Sequence, residues 1–123
     1  MAIAIKTQPE QLRDRTNSFA LRVIRLFRSL PYKPDAQVLG KQLLRCGTSV
    51  AANYRAVCRA RSKAEFVSRM GIVVEESDEA VLWLELLTES GIVPQEKTQE
   101  LLAEARELTA IFTASQQTAR GAA

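Results

Sequence analysis

The sequence predicts an all-α protein, an antiparallel up-down-up-down four-helix bundle, and three observations carry that prediction. Ala, Leu, Glu, Arg and Gln dominate a chain of 123 residues with only 6% aromatics, and these residues lose least on entering a helix. Apolar side chains recur at steps of three and four in four separate stretches, the period of a helix with one buried face. Three short breaks rich in proline, glycine or capping residues separate those stretches, and short connections make neighbouring helices antiparallel. With 46% hydrophobic and 25% charged residues, five Gly and four Pro, the composition fits a single domain over residues 1–123 and neither a fibrous nor a disordered chain.

The first helix is predicted over about 8–30. Thr7-Gln8-Pro9-Glu10 has capping-box spacing with proline in the first turn, and Leu12, Thr16, Phe19, Val23, Leu26, Phe27 and Leu30 form the stripe that follows. Pro31-Tyr32-Lys33-Pro34-Asp35 is the clearest loop, since each proline resists helix and restricts the residue before it. Asp35 is read as the cap of a second helix over about 35–59, whose stripe is Leu39, Leu43, Cys46, Val50, Tyr54 and Val57. Gly47 lies inside it, at a cost of about 1 kcal/mol relative to Ala. Ser62-Lys63-Ala64-Glu65 is a second capping box and opens a third helix over about 63–90. Phe66, Met70, Val73, Val81 and Leu84, flanked by Ile72, Ala80, Trp83 and Leu87, give this helix a broad apolar arc, so it is expected to be the most buried. Gly91 suits the position just past a helix end and Pro94 the start of the next. Leu101, Leu102, Ala105, Leu108, Ile111 and Phe112 define a fourth helix over about 94–115, and 116–123 is read as a frayed tail.

The chain contains no histidine, which excludes His-based acid/base catalysis, Ser-His and Cys-His pairs and imidazole-bound zinc. Glu75, Asp78, Glu79, Glu85 and Glu89 crowd the third helix, but the carboxylate metal sites of helix bundles also use histidine, so no metal is expected. No phosphate-cradling glycine loop or nucleophile–base pair is present, so neither a cofactor nor an enzymatic activity is expected. No apolar run approaches the roughly 20 residues that cross a bilayer, and no basic segment precedes the short apolar start. These features point to a cytoplasmic protein without membrane contact. Cys46 and Cys58 lie about 18 Å apart along one helix, beyond disulfide reach, and read as small hydrophobes in a reduced compartment.

Charge is segregated along the chain. Residues 38–71 carry seven Lys or Arg against one acid, whereas residues 72–107 carry two against ten. Lys41, Arg45, Thr48, Ala52, Arg55 and Arg59 fall at alternating steps of four and three, so the four cations share one side of the second helix. Arg61, Lys63 and Arg69 extend that basic ground into the third. A row of this kind can neutralise successive phosphates of RNA or DNA, or it can meet the acidic helices of the same or a neighbouring chain. Arg13, Arg15, Arg22, Arg25 and Arg28 are spread around the first helix and read as solubilising charge. Glu76 shares a stripe with apolar residues, so Ser49, Asn53 and Arg45 are candidates for a structural polar network around it. The remaining acids are read as an outer face toward a neighbouring subunit, and Trp83 as the largest core or interface residue.

The run Leu43-Leu44-Arg45-Cys46-Gly47-Thr48-Ser49-Val50-Ala51-Ala52-Asn53-Tyr54-Arg55-Ala56, then Lys63-Ala64-Glu65-Phe66, then Met70-Gly71-Ile72-Val73-Val74-Glu75-Glu76-Ser77-Asp78-Glu79 and Trp83-Leu84-Glu85-Leu86-Leu87, resembles the bacterial 23S rRNA intervening-sequence proteins. The resemblance implies a four-helix bundle, assembly as a homopentamer, and a reading frame set within an insertion in 23S rRNA genes. A more distant resemblance is to the accessory variability proteins of diversity-generating retroelements, which implies a pentameric barrel with a basic surface that works on nucleic acid. Many family members carry Ile-Ala-Glu-Gly after the asparagine, where this chain has Tyr54-Arg55-Ala56-Val57. An acid and a turn residue are thereby replaced by a cation and an apolar side chain. The expectation is an oligomeric, non-enzymatic nucleic-acid-binding accessory protein, with a ring-forming protein–protein adaptor as the alternative.

Overall fold

Local capping signals start two of the helices where the sequence places them. The computed structural model describes residues 5–121, with α1 at Gln8–Ser29, α2 at Pro34–Cys58, α3 at Lys63–Glu89 and α4 at Gln95–Gly121. The Thr7 hydroxyl accepts the Glu10 N–H at 3.3 Å, and the Ser62 hydroxyl accepts the Glu65 N–H at 3.1 Å. Each satisfies one of the first-turn donors that a helix leaves unpaired. Asp35 does not cap α2 as its type suggested. Lys33 occupies the cap position without a side-chain bond and Pro34 begins the helix. Asp35 is the second residue of the first turn and accepts the Ala36 N–H at 2.8 Å, its charge favoured by the positive end of the helix dipole.

At the end of α3 the chain passes through Gly91 at φ +81°, a left-handed geometry that a side chain disfavours. The Gly91 and Val93 N–H groups return to the Thr88 and Leu87 carbonyls, each at 3.0 Å. The frayed tail expected from 116 is not seen, because α4 stays helical to Gly121. Gln116 Nε2 donates to the Val67 carbonyl at 3.1 Å and ties these last turns to α3. Residues 122–123 of that expected tail lie outside the described residues.

The four helices form an all-α bundle in which α2 packs on α1 and α3, α3 packs on α2 and α4, and α1 meets α4 only narrowly. Phe19 and Val23, Leu43 and Val50, Met70, Val73, Leu84 and Leu87, and Leu108 and Phe112 fill the centre with at most 1% exposure. Each such side chain contributes about 2 kcal/mol of burial. The Tyr54 and Phe112 rings meet tilted at 5.5 Å. α3 is not the most buried helix, contrary to its apolar arc. α2 has eight buried positions to six on α3, and Ile72, Leu82 and Leu86 face outward. α3 is covered by α2 on one flank and α4 on the other, so its apolar arc is wider than the two contacts can cover.

Two glycines decide how closely α1 and α2 approach. A Cβ on Gly47 would lie 2.9 Å from both Val23 methyls, and one on Gly40 would lie 2.4 Å from Leu30 Cδ1. Val23 is itself fully enclosed, so it has nowhere to move. Gly47→Ala is therefore expected to lower stability by about 1–3 kcal/mol through overpacking, despite the better helix propensity of alanine. Gly71→Ala, which meets only the amide end of Gln116, is expected to stay within about 1 kcal/mol of the parent. Chemical denaturation of the two variants side by side checks the contrast.

Candidate nucleic-acid interface

Antiparallel packing brings the starts of α1 and α3 together with the ends of α2 and α4. The cations of those segments therefore share one end of the bundle. Arg55 and Arg59 project from the last turns of α2 and border two concavities at once. With Ala52, Ala56, Arg61, Glu65 and Arg69 they line a surface groove between α2 and α3. On the other flank they meet Arg13, Asp14 and Asn17 of α1 in a cleft that Cys58 also lines. Lys63 and Arg120 line a neighbouring surface with Ala64, Val67 and Ser68, bringing the end of α4 to the same region. Arg13, Arg55, Arg59 and Arg69 make no ion pair among the described residues, and the Arg61 guanidinium, 90% exposed, lies 3.8 Å from Glu65. Lys41 is exposed and stands apart, near the other end of α2.

Arg45 leaves the row. Its guanidinium donates to Glu76 at 3.1 Å and to Glu79 at 2.7 Å, clamping α2 to α3. The hydrogen bond to Glu79, reinforced by the charges of both carboxylates, raises its pKa above the ordinary arginine value. Among the described residues, Glu76 thus finds its ion-pair partner in Arg45. Ser49 and Asn53 close on each other instead, Asn53 Nδ2 donating to Ser49 Oγ at 2.8 Å and to the Ser49 carbonyl at 2.9 Å. The residues expected to form one network are two separate arrangements, because Ser49 and Asn53 satisfy their polarity within α2.

Arg15 is also more than solubilising charge. It pairs with Glu104 at 2.7 Å and Glu107 at 3.2 Å on α4, across the narrowest of the helix contacts. On α3, Glu85 pairs with Arg106 of α4 at 3.3 Å. Two of the acids expected to face a neighbouring subunit, Glu79 and Glu85, are therefore engaged within the chain, whereas Glu75, Asp78 and Glu89 make no ion pair among the described residues. Beside the Arg45 clamp lies an apolar patch. Arg45 reaches Glu79 across antiparallel helices, so seven residues further in each direction Val38 comes level with Leu86. These two are 62% and 37% exposed, and Leu82 is 46% exposed. Trp83 Nε1 is buried with no hydrogen-bond partner among the described residues.

No group of three or more His, Cys, Asp or Glu among the described residues is arranged to hold a metal, and no described helix is long and apolar enough to cross a membrane. Both cysteines are free. Burial pushes the Cys46 thiol from 9.0 up to about 12, while Cys58 is exposed. Burial likewise raises the Tyr54 hydroxyl, helped by Cys58 beside it.

These features define an all-α four-helix bundle with a cluster of basic residues around Arg55 and Arg59 at one end. Residues 11–114 match the 23S rRNA-intervening sequence proteins, and the chain belongs to that family. It is similar to a solved structure from Bacteroides thetaiotaomicron VPI-5482, described as a protein of unknown function from the S23 ribosomal protein family. The two share 28% identity at a TM-score of 0.83, over 90% of this chain and 99% of that one. The chain matches no curated protein.

The thiols provide a direct check of this geometry. Maleimide is expected to modify one cysteine per native chain, Cys58, and two after denaturation, as read by intact mass. Because the folded state holds the Cys46 proton between pH 9 and about 12 and the unfolded state releases it, stability is expected to fall as pH rises through that window.

Proposed function

We propose that the protein is a non-enzymatic accessory subunit that binds nucleic acid through the basic end of its bundle and works as a homo-oligomer. The observation that carries this reading is the gathering of Arg55, Arg59 and Arg69 around one groove without carboxylate partners among the described residues, with Arg61 beside them. Uncompensated cations along a groove lower the free energy of a phosphate backbone and release its counterions. Lys63 extends the surface and Lys41 is a marginal contact. Arg45, held by two carboxylates, contributes to α2–α3 packing rather than to phosphate binding. The family's name, 23S rRNA-intervening sequence protein, favours RNA and a cytoplasmic setting.

Self-association is supported by the Val38, Leu82 and Leu86 patch, which leaves large apolar side chains in water in the single chain. Five subunits is the stoichiometry the family resemblance implies, and a ring would multiply weak contacts through avidity. The same patch favours the second reading, a ring-forming protein–protein adaptor that needs no nucleic acid.

Fluorescence anisotropy with labelled structured RNA and duplex DNA across a salt series separates the two, with the assembly mass fixed by light scattering. Binding that persists near 150 mM salt and falls linearly on logarithmic axes is expected for about this salt regime. Arg55→Glu with Arg59→Glu should weaken it and flatten the slope by about 0.9 per lost contact on the duplex. The far-UV helical signal should not change. An assembly of stable mass with no binding at that salt would leave the adaptor reading.

A further inference from the structure

The cleft between α1 and α2 holds more positive charge than its own carboxylate offsets. Arg13 and Asn17 reach it from α1 and Arg55 and Arg59 from α2, with Asp14 and Cys58 completing a cavity of about 350 Å³. Asp14 is already paired with Lys6, and the three arginines make no ion pair among the described residues. Three guanidiniums lining one cavity repel one another. An anion placed among them removes that repulsion and accepts charge-assisted, bidentate hydrogen bonds.

We infer that this cleft binds one phosphate group in its monoester form. With Asp14 already offset by Lys6, the three arginines leave three positive charges on the lining, which a phosphomonoester at neutral pH, about −1.5 to −2, offsets more fully than the single charge of a backbone diester. Asn17 adds a neutral amide that can donate to the phosphate or its ester oxygen. A cavity of this size admits a phosphate with its sugar, whereas the run of a strand follows the α2–α3 groove on the far side of Arg55 and Arg59. Because those two arginines border both hollows, a strand lying along the groove can end in the cleft. That source, a phosphorylated strand end, rests on the nucleic-acid reading; the pocket itself does not, since a free nucleoside monophosphate carries the same group. Arg13 becomes the residue that distinguishes a chain end from a chain interior.

The test uses the full-length protein and internally labelled single-stranded RNAs of one sequence ending in a 5′-phosphate, a 3′-phosphate or a hydroxyl. One phosphorylated end is expected to bind about tenfold more tightly than the hydroxyl, the effect of a charge-assisted contact. Arg13→Gln should abolish that preference, so that phosphorylated and hydroxyl-ended RNAs bind with one affinity, while the helical signal stays unchanged. Arg25→Gln, the same charge loss elsewhere on α1, should leave the preference intact. In parallel, inorganic phosphate at constant ionic strength should slow maleimide modification of Cys58 in the parent but not in Arg13→Gln. RNA binding without end preference, and without protection of Cys58, overturns the pocket and leaves the nucleic-acid reading standing. Protection by phosphate with no RNA binding upholds the pocket for a small phosphomonoester and removes the nucleic-acid reading. Neither binding nor protection overturns both.

Discussion

The closeness of α1 to α2, set by the missing side chains at Gly40 and Gly47, is the constraint on which the placement of charge depends. Leu30 lies opposite Gly40 and Val23 opposite Gly47, so a step of seven along one helix matches a step of seven back along the other. Ten residues further, the same register sets Arg13 level with Val57, between Arg55 and Arg59. Large residues at the glycines would separate the two axes by the width of a side chain and open the cleft. A helix-weakening residue thus organises the basic end without touching it.

The α2–α3 contact is organised by charge as well as by apolar packing. Arg45 spans Glu76 and Glu79 at the edge of a well-filled core, where the pair is half open to water and each exposed contribution is modest. Its larger effect is on register, because one guanidinium satisfies two carboxylates a turn apart only when the helices sit at one offset. That offset aligns Val38 with Leu86 and builds the exposed apolar patch. It also ties Arg45 into the α2–α3 seam, apart from Arg55 and Arg59 of the same row.

Features governed by a few adjacent residues were legible in the sequence. The Thr7 and Ser62 caps, the Gly91 turn and the four apolar stripes depend on spacing within one or two turns, and the structure has them. Features set by a neighbouring helix were not. Gly47 reads as a propensity cost until Val23 stands opposite it. Arg15 reads as solvated charge until α4 presents Glu104, and Arg13 until α2 presents Arg55 and Arg59. Asp35 has the right chemistry for a cap, but Pro34 can start the helix one residue earlier. The polar end of α4 gives no apolar reason to stay helical, and the tie from Gln116 to Val67 comes from a residue 49 positions away. At the candidate interface, residue types and their common face were readable, whereas which cations keep their charge unpaired required the third dimension.

The narrow seam between α1 and α4 bears on how the chain reaches its fold. Every broad helix contact joins elements that follow one another directly in sequence, α1 with α2, α2 with α3 and α3 with α4. The one long-range closure, between the first helix and the last, is slight and is fastened by the ion pairs of Arg15. Most native contacts therefore form without closing a long loop, the circumstance in which helical domains fold in about microseconds to milliseconds. Each helix emerging during synthesis can dock on the one before it, and the final helix closes the assembly.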